Sequence, residues 1–205
     1  MAAKFNFDFP RTLAAITYVA SKNIPDLTIY KLLKLIFLAD KYHLIKYGRP
    51  ITGDRYAALK DGPVPSHIYD VFKRQVVKEN PWTDQAKMFL ANLDVKKSGK
   101  RAVFKARSKF NEDELSKSDI AVLDRVINTF GNFDYDQFWK LTHQMMAYKK
   151  AWDSKGFFMR SAPMLFEDFF YEGLFGENDL ILAEAKEEFI EDGLLRKELA
   201  EPRAV

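Results

Sequence analysis

The sequence predicts an α+β fold that is predominantly α-helical: a helical domain holding a small antiparallel β-sheet, with a C-terminal helical extension. Three observations predict it. Apolar stripes at helical spacing recur along the chain, as in Leu32, Leu33, Ile36 and Phe37, or Ile120, Leu123, Val126 and Ile127. Two stretches, 51–60 and 101–110, lack that period and read as paired strands. A hydrophobic content of 47% in 205 residues, with 18 Phe, supplies a core that needs no metal or disulfide staple.

In chain order, Phe5, Phe7 and Phe9 alternate with Asn6 and Asp8 as a short extended entry. Pro10 suits the first turn of a helix ending near Ser21, with Leu13, Ile16, Thr17 and Ala20 on one face. Residues 23–26 form a loop, and Leu27 and Thr28 lead into the main helix, expected to lie antiparallel to the first. On that helix the stripe of Leu32, Leu33, Ile36 and Phe37 next meets Asp40. An unpaired carboxylate on a core stripe costs several kcal/mol, so Asp40 is expected to pair with Tyr56, Arg49 or Lys60 in a structural polar cluster.

Gly48 and Pro50 stop the main helix. After the strand at 51–60, Gly62, Pro63, Val64 and Pro65 make a rigid extended corner. Ile68, Val71, Phe72 and Val76 restart a helix that is expected to reach Glu79, ended by Asn80 and Pro81. Residues 82–93 read as loop with a turn of helix. Residues 95–110 read as a ribbon turning at Ser98 and Gly99. Ser116 with Asp119, and Asp134 with Gln137, spell capping boxes for two further helices, the first stopped by Gly131. Gly156 breaks the segment behind the second of them, and 177–199 reads as an acidic helix with Leu182, Phe189 and Leu194 on one side.

Several function classes are excluded or left without support. Without cysteine there is no disulfide, zinc-thiolate site or thiol nucleophile. The N-terminus carries too little apolar length for a signal peptide, and no run approaches the roughly 20 apolar residues of a spanning helix, so a cytoplasmic protein is expected. Gly48, Gly53 and Gly62 are too far apart for a phosphate loop. His43, His67 and His143 lie on separate elements without metal-ligand spacing, so neither a metal nor a cofactor is expected. His143 follows Thr142, and both are assigned to the structural polar cluster with Asp40 and Arg49. The basic ribbon 96–109, with Lys96, Lys97, Lys100, Arg101, Lys105, Arg107 and Lys109, is the one nucleic-acid-like feature. Its charge could equally meet the acidic C-terminal segment, since the net charge is only +3.

The stretch 31–72 resembles the Panacea domain, the SocA-like or GepA-like antitoxin family. The resemblance rests on an ordered set: 31–37 with Ala39 and Asp40, then 48–51, 56–60, Gly62, Pro63 and Val64, and Tyr69. It extends back to Thr12 and forward through 115–119 to Leu141, Thr142 and His143. Lys60 and Asp61 stand where the family more often has an aromatic, and the segment after His143 departs from its pattern. The resemblance implies a domain over 1–158; residues 159–205 have no counterpart in it and are expected to form an acidic helical extension packed on the same domain. It also implies an antitoxin of bacteria and their phages that binds and neutralises a cognate protein toxin encoded beside it. Tyr56, Lys60, Gly62, Pro63, Val64, His67 and Tyr69 are the expected partner-binding residues, because they flank a stiff corner. The alternatives are a DNA-binding regulatory or phage-associated protein using the ribbon, and an enzyme with a site at Asp40, Lys60 and His143. A homo-oligomer is compatible with all of these.

Overall fold

The computed structural model describes residues 5–73, 83–98 and 101–200. Helix α1 (Phe9–Ser21) starts where the Asp8 carboxylate accepts from the Arg11 N–H at 3.0 Å and Pro10 occupies the first turn. Thr28 caps α2 (Ile29–Tyr47) in the same way, and Gly48 ends it at φ 68°, in the left-handed region glycine enters freely. The expected single stripe on α2 is corrected by the structure. Every residue from Lys31 to Ile45 is buried, Lys34, Asp40, Lys41 and His43 included. The reason is topological: α1, four later helices (Ser66–Lys73, Lys117–Phe130, Tyr135–Gln144 and Asp179–Ala200) and the small sheets all pack around this one helix.

Strands β1 (Tyr56–Leu59) and β2 (Gly62–Pro65) form a hairpin that turns on Lys60 and Asp61, with Tyr56 opposite Pro65 and Leu59 opposite Gly62. Strands β3 (Leu93–Ser98) and β4 (Arg101–Ala106) form a second hairpin, and β5 (Ser161–Pro163) adds to the free edge of β1. The expected pairing of 51–60 with 101–110 is therefore not made. A two-residue turn lets β1 find β2 at little loop-closure cost, and β5 takes the remaining edge. Pro63 and Pro65 are tolerated because β2 is an edge strand.

β2 runs directly into α3 (Ser66–Lys73), whose first turn is capped from a distance. The buried Asp54 carboxylate accepts from the N–H groups of His67 and Ile68 at 2.9 and 3.0 Å. The expected continuation of α3 to Glu79, its stop at Asn80 and Pro81, and the turn residue Gly99 lie outside the described residues. Helix α4 (Thr83–Ala91) replaces the loop expected there. Its Phe89 packs on Phe9 and Phe72, and that burial overrides a weak local pattern.

Both capping boxes form, opening α5 (Lys117–Phe130) and α6 (Tyr135–Gln144). Helix α7 (Met146–Asp153) follows after Met145, then β5, a 3₁₀ segment Phe166–Tyr171 and α8 (Asp179–Ala200). Phe166 and Phe169 join Tyr56 and Phe37 in one aromatic cluster. On α8, Leu182 and Phe189 face the core, but Leu194 is 58% exposed. A residue five past Phe189 has rotated well over 90° off the packed face.

Candidate functional site

The β1–β2 hairpin is held from three directions. From below, the Asp40 carboxylate accepts from the Ile51 and Thr52 N–H groups at 2.8 and 3.0 Å, from the Tyr56 hydroxyl at 2.7 Å and from the Thr52 hydroxyl. Burial pushes its pKa up to about 6, against four donors that favour the ionised form. Burial and the nearby Asp40 charge push the Tyr56 phenol well up, so it stays a donor.

From the side, Lys34 Nζ donates to the Pro63 carbonyl at 2.7 Å and sits 4.9 Å from the Tyr30 ring. Burial lowers the Lys34 pKa to about 7, opposed by the Asp61 charge. Gly62, at φ +97°, lies hard against this lysine. A Cβ there would come within 2.8 Å of Thr142 Oγ1 and 2.9 Å of Lys34 Nζ.

From above, α6 and α7 clamp the tip. The Tyr148 hydroxyl donates to the Leu59 carbonyl at 2.8 Å, His143 Nε2 lies 3.0 Å from the Lys60 carbonyl, and the Tyr135 hydroxyl donates to Asp61 at 3.1 Å. Trp139, His143, Tyr148 and Trp152 make a column of ring contacts, stacked at both ends and tilted between His143 and Tyr148, with centroids 4.0, 4.5 and 5.9 Å apart, and Lys155 Nζ caps it 4.9 Å from Trp152. Beside the tip, a cavity of about 780 Å³ is lined by Tyr30, Asp61, Phe133, Tyr135 and Phe138, among others.

The partner-binding residues expected from sequence divide by burial. Tyr56, Gly62, Pro63 and Val64 are buried, so they shape the corner and offer no contact surface. Lys60 is exposed, and His67 and Tyr69 are partly so. His67 Nδ1 lies 2.6 Å from Asp54, and its ring stacks on Phe7. The residues assigned to one polar cluster make contacts in three places. Asp40 meets Tyr56. Arg49 donates to Asp119 at 2.9 Å, beside His43, whose Nε2 is 3.0 Å from the same carboxylate. Burial works against the Asp119 charge, but these groups and Ser116 hold its pKa well below the usual range. Thr142 donates to the Phe138 carbonyl, and His143 reaches the tip. Nor do Asp40, Lys60 and His143 form one reactive set: Asp40 is sealed in the core, and His143 meets only the backbone of Lys60.

Sequence reasoning missed Lys34, Lys41, Thr52 and the Arg49–Asp119 pair. Lys41 donates to the carbonyls of Phe169 and Glu172, and burial lowers its pKa to about 8, opposed by Glu172. Nothing in the local pattern sets Lys34 and Lys41 apart from Lys31 and Lys46 on the same helix. The acidic helix α8 packs on Phe166–Tyr171 and α2, while ribbon Arg107 pairs with its own Asp94 at 2.8 Å. Among the described residues no cluster of His, Asp and Glu could hold a metal ion, and no helix is long and apolar enough to cross a membrane.

The family model described as antitoxin SocA-like, Panacea domain, matches residues 32–152. That segment holds α2 from Leu32 onward, both hairpins, the Asp40 and Lys34 anchors and the clamp of α6 and α7 up to Trp152. No curated protein and no solved structure matches the chain. With more than half its length covered by that match, the chain belongs to the SocA-like antitoxin family, the Panacea domain.

Proposed function

We propose that this protein neutralises a cognate protein toxin by binding it directly, with the clamped β1–β2 tip and the adjoining face of α6 as the contact region. The family is one of antitoxins. The observation that supports contact through this region is the clamp itself. Five side chains from three helices (Lys34, Tyr135, His143, Tyr148 and, through Tyr56, Asp40) fix a turn whose Lys60 and Asp61 point charge at the surface. Exposed Tyr135 and Trp139 beside it add rigid amphipathic rings. A surface fixed before binding loses little conformational entropy on association. Tyr56, Gly62, Pro63 and Val64 then act as shape-holding residues, with Lys60, His67 and Tyr69 nearer to the toxin.

The test is a titration of purified chain into a fixed amount of the toxin encoded beside it, following residual toxin activity. Binding gives a break near equimolar ratio. Full protection at a far lower ratio, growing with time, would mean turnover and overturn the proposal. A second reading, regulation of its own promoter, has support from a groove of about 570 Å³ lined by Lys22, Lys105, Arg107 and Lys109. Two of those cations are already paired, Lys22 with Asp124 and Arg107 with Asp94. A mobility shift with promoter DNA that weakens steeply with salt would establish it alongside toxin binding.

A further inference from the structure

Phe157 and Phe158 are 92% and 93% exposed and Met159 is 61% exposed, on the turn between α7 and β5. Single exposed apolar side chains are ordinary on a protein surface, but three consecutive ones at this level are not. The base of this turn is fixed on both sides. On the near side, α7 is tied to the β1–β2 hairpin through Tyr148. On the far side, β5 is in register with β1, Ser161 opposite Leu59 and Pro163 opposite Ala57. The turn also closes on itself, the Met159 N–H donating to the Gly156 carbonyl at 2.8 Å. The aromatic column that starts at Trp139 ends with Lys155 over Trp152, two residues before Phe157. The apolar tip therefore follows that column along the chain and precedes the strand residue that pairs with Leu59, the last β1 residue before the hairpin turn. Lys155 and Arg160 bracket it.

We infer that Phe157, Phe158 and Met159 are the apolar anchor of the toxin interface, entering an apolar pocket on the toxin whose rim carries carboxylates facing Lys155 and Arg160. The inference rests on the antitoxin reading and supplies what the buried corner residues do not: large exposed apolar side chains of the kind that dominate binding energy. An anionic bilayer would also present an apolar interior behind a negative rim. The acidic helix α8, packed on Phe166–Tyr171 just past β5, works against that approach, and the charges favour a protein pocket.

The experiment compares the full chain with the F157S/F158S variant against the purified product of the adjacent open reading frame, by calorimetric titration and by growth rescue. The two proteins should melt within about 2 °C of each other, because the exchanged rings touch little besides one another. Affinity should fall at least about 100-fold and rescue should be lost. F157L/F158L should restore most of the affinity, and K155E/R160E should slow association and flatten its salt dependence. Binding by F157S/F158S within about threefold of the parent overturns the inference. So does a parent that sediments with phosphatidylserine vesicles, or self-associates, in a manner lost in the variant while toxin binding persists. If the parent itself neither binds nor rescues, the antitoxin reading fails and takes the anchor with it. That result is distinct from a parent that rescues equally well with or without the two rings.

Discussion

The two hairpins of this protein are built from similar ladders and differ in almost everything else. β3 and β4 pair six residues each, β1 and β2 only four. Yet the longer ribbon is attached mainly by Leu93 and Phe104, by the Phe104 N–H to the Leu27 carbonyl at 2.9 Å, and by a bridge between Thr28 and Val103. Its Val95 and Lys96 face solvent. The shorter hairpin is packed on both faces, and its carbonyls are bonded by Lys34, His143 and Tyr148. Ladder length is thus a poor guide to rigidity. What matters is how many side chains from other elements end on the hairpin.

The comparison is broken most severely at Asp40. Asp40→Ala strips the acceptor from four buried donors and should cost about 3–5 kcal/mol in urea unfolding, with toxin neutralisation falling in step. A loss below about 1 kcal/mol would mean the network adds little to the anchoring. Next comes Gly62→Val. Its positive φ and the close Lys34 and Thr142 atoms predict a loss of about 2–3 kcal/mol, read in the same experiment.

Lys34 sharpens the contrast through pH. Its folded pKa of about 7 lies below its ordinary 10.5, so between those values the unfolded chain binds more protons. Stability must then rise with pH across that window, and Lys41, at about 8, adds in the same direction. Lys34→Met removes the Lys34 share. Melting from pH 7 to 9 should therefore show the parent gaining on the variant, and parallel curves would contradict a lysine buried at this depth. The smallest effect belongs to the other hairpin: Lys96→Ala should change stability by no more than about 0.5 kcal/mol in the same assay.

Local rules made the helical frame legible from sequence. Thr28, Gly48 and both capping boxes mark helix ends through contacts that span four residues or fewer. Asp40 stood out because it interrupts a stripe, and Tyr56 was among its candidate partners. Lys34 and Lys41 were not legible as buried residues. Desolvation makes buried lysine rare, so a lysine reads as solvated unless the helix around it is known to be enclosed on every side. Arg49 and Asp119 meet across 70 residues, and nothing in either local pattern announces the other. The expected sheet failed for a related reason. Residues 161–163, Ser-Ala-Pro, carry no strand signature and become β5 only because β1 offers an open edge.

That third strand has a consequence for how such chains can be taken apart. β5 lies beyond the residues shared with the family, yet it closes the edge of a sheet that lies within them. A fragment ending at residue 158 would expose the hydrogen-bonding groups of Tyr56 and Ala58 and uncover the aromatic cluster that Phe166 and Phe169 complete. An open edge beside apolar surface recruits strands from other molecules, so the expected product is aggregate. The tail cannot be exchanged as a neutral appendage: any replacement has to bring its own strand to the same edge.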